Sequence, residues 1–95
     1  MRALVYEGAW QMPLREIDNP APEPCEVIVA VKAVGICGTD FHILEGTHPF
    51  LAYPRVMGHE LSGVVAGGAK SSDLAPGTAV VINPYLSCGH CVACR

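Results

Sequence analysis

Glycine and proline interrupt this chain so often that short strands are favoured over long helices. The 95 residues include ten glycines and eight prolines, and such punctuation is typical of strands joined by turns. With 51% hydrophobic and 16% charged residues, the chain can form a core and is not a disordered tail. We therefore expect a single, mainly β domain near the low end of the usual size range.

The residue pattern predicts five strands and one short helix. The clearest strand covers residues 26–34, whose β-branched side chains make both faces mostly apolar, so we expect it to be buried between two layers. Thr39 or Asp40 is predicted to cap a helix at 41–44. Gly46 ends that helix. The remaining predicted strands are 2–7, 14–17, 60–65 and 79–82.

Turns and loops separate these predicted elements. Residues 8–10 are predicted as the turn of a first hairpin, and a stiff proline-rich connector follows at 19–24. A proline-spaced loop precedes the fourth strand, and residues 69–77 are predicted as a loop with a turn at Pro76-Gly77. From Asn83 onward the pattern is irregular. The pattern as a whole predicts a barrel-like β core with long functional loops.

The charge pattern argues against a nucleic acid or a membrane as partner. The formal net charge is -3, and the six basic residues are scattered without forming a patch. No apolar run approaches the roughly 18 residues that span a bilayer, and Glu7 interrupts the first apolar run too early for a signal peptide. We expect a cytoplasmic protein, a compartment that its five unevenly spaced cysteines also fit.

Side chains that can bind a metal follow the strand at 26–34. Cys37 comes shortly after this strand, and His59 and Glu60 open the next one. A catalytic zinc needs three protein ligands of these types and one open position, and the three residues supply them if the two strand ends converge. Taken singly, Cys37 also fits a small core residue, and His59 with Glu60 fits ordinary exposed polar residues. Their joint occurrence favours the metal site.

Three cysteines near residue 95 form a denser metal motif. Cys88, Cys91 and Cys94 have the spacing C-x-x-C-x-x-C, which is too tight for ordinary disulfide pairing but suits thiolates around one tetrahedral metal. An iron–sulfur run begins with the same spacing and continues with a fourth cysteine followed by proline. The sequence does not extend far enough to test for that cysteine. For a four-ligand zinc site, His90 and Cys25 are the other candidates within the chain.

Three strings make the chain resemble a known enzyme family. They are GICGTDFH (35–42), YPRVMGHELSGVV (53–65) and PYLSCGHCVAC (84–94). In order and spacing they are similar to the zinc-dependent medium-chain alcohol and polyol dehydrogenases, above all the sorbitol-, threonine- and galactonate-type enzymes. The resemblance implies that residues 1–95 are the N-terminal portion of a GroES-like catalytic domain, a partly open β-barrel with long loops and a short helix. A structural zinc lobe would begin at about residue 84.

The resemblance also implies which residues bind zinc. Cys37 and His59 would be ligands of a catalytic zinc, and Glu60 would be a third or exchangeable ligand. The structural zinc would be held by Cys88, Cys91 and Cys94, with a fourth cysteine several residues past Arg95.

Three further residues receive roles from the same resemblance. Thr39 would receive the alcohol proton of the substrate, and His42 would end that proton relay. Asp40 would hold the His59 ring in its orientation. The implied chemistry is Lewis-acid activation of a small-molecule secondary alcohol by zinc, with hydride transfer to NAD or NADP. The complete enzyme would be a homo-oligomer, either a dimer or a tetramer.

One motif of such an enzyme is missing from the sequence. Gly63, Gly67 and Gly68 do not have the Gly-x-Gly-x-x-Gly spacing of a dinucleotide site, so we expect the 95 residues alone to be inactive. We predict the N-terminal catalytic segment of an oxidoreductase that transfers a hydride from a polyol or sugar acid to NAD(P). The alternative is a self-standing, non-enzymatic zinc-binding or co-chaperonin-like interaction module. A nucleotide-binding sequence downstream would favour the enzyme, and a natural stop after Arg95 would favour the module.

Overall fold

The computed structural model of the protein describes residues 1–68 and 74–94. These residues form a mainly β fold with one short helix, which confirms the predicted fold class. In chain order the elements are β1 (Arg2–Tyr6), β2 (Leu14–Glu16), β3 (Val27–Gly35), α1 (Gly38–Leu44), β4 (Arg55–Val56), β5 (Glu60–Gly68), β6 (Ala79–Val81) and a 3-10 turn (Val92–Cys94). No helix in the described ranges is long and apolar enough to cross a membrane.

The strands form two antiparallel sheets of three strands each. Their orders are β2-β1-β4 and β3-β5-β6, and in the described residues neither sheet closes into a barrel. β3 and β5 form the longest ladder, in which Val27 pairs with Gly68 and Gly35 pairs with Glu60. Two register shifts interrupt this ladder, and irregularities of this kind bend a strand and increase its twist.

Several sequence predictions differ from the structure in detail. β4 was not predicted, because a two-residue strand shows no alternation and forms only by pairing with β1. The helix begins at Gly38, and its N-cap is Cys37 rather than Thr39 or Asp40. Part of the predicted loop at 69–77 lies outside the described residues, and its described end contains the predicted turn at Pro76-Gly77.

The prediction that β3 is buried between two layers was wrong. The run from Ala30 to Val34 is exposed, with Val31 at 49% and Val34 at 51% of their full accessibility. An apolar pattern on both faces shows that a strand can pack against other layers. It does not show that the same 95 residues supply those layers. Within the described residues, this part of β3 is only partly covered.

The described residues have a small buried core, and a backbone hydrogen bond joins the helix to the first hairpin. Val5, Tyr6, Ile43 and Val65 are the buried apolar residues of the described ranges, each at most 8% exposed. At the end of α1, the carbonyl of Leu44 accepts a hydrogen bond of 2.7 Å from the backbone N–H of Trp10. Both ends of α1 are therefore held, the far end by the hairpin and the near end by the cap at Cys37.

Candidate metal centres

The pairing of β3 with β5 brings two candidate ligands together. Gly35, the last residue of β3, is the register partner of Glu60, the first residue of β5. Because the strands are antiparallel, the residues just beyond these two ends meet. Sγ of Cys37 lies 3.1 Å from Nε2 of His59, although the two are 22 positions apart in the chain. The two strand ends converge, as the sequence prediction of this site requires.

A reciprocal cap fixes the orientation of Cys37. Its Sγ accepts a hydrogen bond of 3.3 Å from the backbone N–H of Thr39, while its own backbone N–H donates to Oδ2 of Asp40 at 2.9 Å. The arrangement is a capping box with a thiol in the position usually occupied by serine or threonine. Cysteine is not among the preferred N-cap residues, which is why the sequence pattern pointed to Thr39 or Asp40 instead.

Asp40 links Cys37 to His59. Its second oxygen, Oδ1, lies 3.5 Å from Nδ1 of His59. The aspartate side chain is only 15% exposed, and within residues 1–68 and 74–94 this oxygen is buried without a hydrogen-bond partner. A small rotation of the imidazole would make Nδ1–H a donor to Oδ1 and leave Nε2 free to bind a metal, the usual support of a metal-bound histidine. The position of Asp40 suits its predicted role, which stays a prediction.

The donor atoms of this group fit a metal of the zinc type. Cys37, Asp40 and His59 each offer one atom, and the three atoms lie within 4.8 Å of one another. Thiolate and imidazole are ligands that zinc prefers. A tetrahedral zinc bound to both would place sulfur and nitrogen about 3.6 Å apart, so the observed 3.1 Å would need only a small opening of the pair.

Glu60, predicted as a third or exchangeable ligand, does not belong to this group of donor atoms. Its side chain folds across Gly35, where a Cβ atom would lie only 2.5 Å from Oε2 of the glutamate. The structure therefore brings Cys37 and His59 together and leaves Glu60 beside them.

The two residues of the predicted proton relay are placed differently from each other. Thr39 is exposed and lines a cleft of about 260 Å³ together with Asp40 and His59. The side chain of His42 is 68% exposed and has Nδ1 3.8 Å from Oε2 of Glu45. Thr39 is thus at the candidate centre, and His42 is not a lining residue of this cleft.

His59 stands between two clefts that sequence reasoning missed. On the Thr39 side the cleft is completed by Phe50, Leu51 and Arg55. A second cleft, of about 330 Å³, is lined by His59 and Glu60 and by Val81 and Tyr85 further along the chain. These residues lie in loops or at strand edges, where no periodic pattern marks them. The only sequence signal was the closeness of Phe50, Leu51 and Arg55 to the Gly-His-Glu motif.

The three lobe cysteines also come together. Sγ of Cys88 lies 3.7 Å from Sγ of Cys94, close to the distance of about 3.8 Å between two thiolates on a tetrahedral zinc. The N–H of Cys91 donates to Sγ of Cys88 at 3.4 Å, and a 3-10 turn carries the third cysteine inward. All three sulfur atoms lie within 4.8 Å of one another. This donor set fits three of the four ligands of a zinc ion.

Neither candidate for a further ligand within the chain joins the lobe cysteines. Nδ1 of His90 lies 2.6 Å from the carbonyl oxygen of Cys88, so the imidazole is turned toward the backbone. Cys25 is exposed and directly follows the proline-rich connector. Among the described residues neither His90 nor Cys25 is grouped with the lobe cysteines.

The lobe favours a thiolate at Cys88. Backbone hydrogen bonds from His90 and then Cys91, followed by contacts with the thiols of Cys91 and Cys94, lower the pKa of Cys88 from 9.0 to about 7. The thiolate is the form that binds a metal, so hydrogen bonding within the lobe prepares this residue for coordination.

These features define a mainly β domain with two candidate metal centres, and the sequence assigns it to a family. Residues 23–95 match the model of the alcohol dehydrogenase GroES-like domain. Because the match covers most of the chain, the chain belongs to this family. The resemblance predicted from the three sequence strings is thereby confirmed.

Known relatives agree with this assignment. The chain is 38% identical to L-galactonate-5-dehydrogenase of Escherichia coli K12 over 96 residues, which is 100% of the chain and 28% of that protein. It superposes with a TM-score of 0.87 and 40% identity on a short chain alcohol dehydrogenase of E. coli CFT073 complexed with NADH, covering 99% of the chain and 27% of that structure.

A third relative was solved with metals bound. A cobalt and zinc bound thermostable alcohol dehydrogenase from Pyrobaculum aerophilum gives a TM-score of 0.84 and 32% identity, over 99% of the chain and 30% of that structure. The chain thus spans less than a third of each of these three relatives.

Proposed function

We propose that this chain carries the catalytic zinc site and the structural zinc lobe of an NAD(P)-dependent alcohol dehydrogenase whose substrate is a polyol or a sugar acid. The observation that carries the proposal is the contact of 3.1 Å between Sγ of Cys37 and Nε2 of His59 in a chain of this family. Membership of the family alone supports an oxidoreductase. The pair of donor atoms on Cys37 and His59 supports a metal site at which the reaction would take place.

Cys37 and His59 would hold the catalytic zinc, with Glu60 as an exchangeable ligand. When bound, zinc supplies Lewis-acid activation of the alcohol. Asp40 supports the site because it accepts a hydrogen bond from the backbone of Cys37 and stands beside the imidazole of His59. It would therefore keep both ligands in the orientation that coordination requires.

Thr39 would receive the alcohol proton. Its side chain lines the cleft beside His59, and a hydroxyl can accept a proton from one partner while donating to another. His42 would pass the proton to water, in keeping with its exposure of 68%. A backbone hydrogen bond from Thr39 to the sulfur of Cys37 keeps the hydroxyl-bearing residue next to the metal ligand.

The lobe would have a structural role. Exposed thiolates in a tight turn are suited to a closed, four-ligand zinc site that stabilises the segment around it. We propose that Cys88, Cys91 and Cys94 supply three of these ligands.

The nicotinamide cofactor and the substrate belong to the proposal for the whole protein. The E. coli CFT073 relative was solved with NADH, and the E. coli K12 relative is a galactonate dehydrogenase. By analogy we propose NAD or NADP as hydride acceptor and a small-molecule alcohol as substrate. The family resemblance of the sequence motifs is the basis for proposing a homo-oligomeric enzyme, and the charge and cysteine pattern for proposing a cytoplasmic location.

The test is a dehydrogenase assay on the protein as its native gene encodes it. Galactonate-type sugar acids, sorbitol, threonine and a simple primary alcohol are each offered with NAD⁺ and with NADP⁺, and absorbance of the reduced cofactor is followed. We expect reduction with at least one polyol or sugar acid and its loss in the variant Cys37→Ser. Full activity in that variant would contradict the site assignment. Bound zinc without any activity would favour the non-enzymatic module.

A further inference from the structure

The side chain of Glu60 rests in a notch that exists because residue 35 is glycine. Gly35 and Glu60 are directly paired across β3 and β5. A Cβ atom at position 35 would lie 2.5 Å from Oε2, 3.0 Å from Cβ and 3.5 Å from Cδ of Glu60. The first of these distances is shorter than real Cβ contacts, so the carboxylate occupies space that any other residue at position 35 would fill.

This notch lies on the same face of the chain as the thiol of Cys37. The backbone at Cys37 is extended, with φ -121° and ψ 178°, and side chains two residues apart on an extended segment point to the same face. Burial follows the same alternation, since Gly35 and Cys37 are half-buried while Ile36 between them is 76% exposed. The carboxylate of Glu60 therefore lies on the same face as the thiol of Cys37 but outside the group of donor atoms.

We propose that Gly35 is a positioning residue, which provides the resting place of the Glu60 carboxylate away from Cys37 and His59. The size of residue 35 then sets how readily Glu60 reaches a metal ion held by those two ligands. This inference rests on the proposed function, because it concerns the same metal site.

The physical basis is a competition between two positions of one carboxylate. Glu60 can lie over Gly35 or can bind the metal, and a change that destabilises one position raises the population of the other. Enlarging residue 35 to alanine destabilises the notch position most, because only there does the carboxylate meet the new Cβ atom. The closest collision is with the end of a flexible side chain, so Glu60 can move away, while the contact between the two Cβ atoms at 3.0 Å needs only a slight adjustment.

The experiment uses cobalt as a spectroscopic probe in the protein as its native gene encodes it. Cobalt replaces zinc, the thiolate-to-cobalt absorption band that disappears in Cys37→Ser identifies the site, and release of this cobalt to a chelator is timed. We expect Gly35→Ala to slow this release about tenfold, the scale on which neighbouring groups change metal affinity, and to shift the visible bands as a carboxylate oxygen enters the coordination sphere.

Two comparisons tie the effect to Glu60. Gly38→Ala is the matched control, because a Cβ atom there meets nothing within 4 Å, and it should leave both readouts unchanged. In a Glu60→Ala background, Gly35→Ala should also have no effect. An unchanged release rate in Gly35→Ala, or an equal change with and without Glu60, would overturn the inference.

The remaining outcomes are equally informative. If Gly35→Ala fails to fold but folds when combined with Glu60→Ala, the rescue supports the collision at the notch. If neither folds, residue 35 acts on the fold and the inference is overturned.

If the unaltered protein shows no cobalt band that depends on Cys37, the proposed function fails and the inference with it. If that band is present but does not respond to Gly35→Ala, only the inference fails.

Discussion

The two candidate metal centres are built by different means. Cys37 and His59 are 22 positions apart and meet only through the pairing of β3 with β5. Cys88 and Cys94 are 6 positions apart and meet within one turn of chain. The first pair is half-buried and supported by Asp40, whereas Cys88 and Cys91 are exposed.

The difference shows which centre depends on the fold. The Cys37–His59 centre is a product of the folded sheet, so the sheet must form before these ligands can act together. The lobe is local, and its thiolates would repel one another without a cation, so metal binding and folding of this segment are coupled. Damage to the sheet and damage to the lobe should therefore be separable.

The largest effect is expected from Gly63→Ala, which attacks the sheet directly. A Cβ atom there would lie 2.5 Å from the backbone oxygen of Ala30 and 2.7 Å from Cγ1 of Val29, and a paired backbone cannot swing aside. We expect a loss of about 3 kcal/mol in the free energy of unfolding, with loss of the Cys37–His59 metal while the lobe metal remains. Denaturant unfolding measures the free energy of unfolding, and the metal content per chain shows whether one metal is lost.

Gly67→Ala is the control for this prediction. Gly67 lies in the same strand as Gly63, and a Cβ atom there would meet nothing within 4 Å. If Gly63→Ala removed the lobe metal as readily as the other one, the two centres would not be independent.

Cys91→Ser tests the same comparison by altering the lobe instead of the sheet. We expect the lobe to lose its metal and to become more easily cleaved by protease, because the metal is what orders an exposed turn of thiolates. The other metal should stay, since its ligands are held by the sheet. Metal content and limited proteolysis report the result. Cys25→Ser, at an exposed cysteine outside both groups, should change neither.

Asp40→Asn tests whether the charge of Asp40 supports His59 at the Cys37–His59 centre. Asparagine can still accept the hydrogen bond from the backbone of Cys37, but it lacks the negative charge next to His59. We expect metal affinity at this centre to fall about 10- to 100-fold, with no change at the lobe. Competition with a chelator measures both affinities in one sample. An equal affinity in variant and parent would show that Asp40 does not support the histidine.

The smallest effect is expected from Glu7→Gln, at a residue that belongs to neither group of candidate donor atoms. The hydrogen bond from Arg15, with its charge, lowers the pKa of Glu7 below its ordinary value of 4.5. This pair therefore contributes at pH values above 4.5, and its contribution is lost as the pH falls through the lowered pKa. At pH 7 the variant should keep both metals and nearly full stability, because exposed ion pairs contribute little. The difference in thermal midpoint between variant and parent should disappear once the pH falls below the lowered pKa.

The parts of the molecule that sequence predicted best are those with a local signal. β3 is rich in β-branched residues, and the lobe is marked by cysteine spacing alone. What escaped prediction depends on contacts distant in sequence. β4 exists only as a partner of β1, and the exposure of β3 depends on which layers surround it.

The candidate site divides in the same way. The pairing of Cys37 with His59 could be anticipated because both stand at strand ends. The place of Glu60 could not, because it depends on the register that sets this glutamate opposite Gly35. The cap at Cys37 also went against residue preference, since a cysteine occupies a position where serine or aspartate is more usual.

The most direct test of two separately built centres is the zinc bound per chain in the protein as its native gene encodes it. Elemental analysis of the purified protein, of Cys37→Ser and of Cys91→Ser gives the result. The account predicts two zinc ions in the first and one in each variant, with the circular dichroism of Cys37→Ser unchanged. One zinc or none in the unaltered protein, or two zinc ions retained in Cys37→Ser, would contradict it.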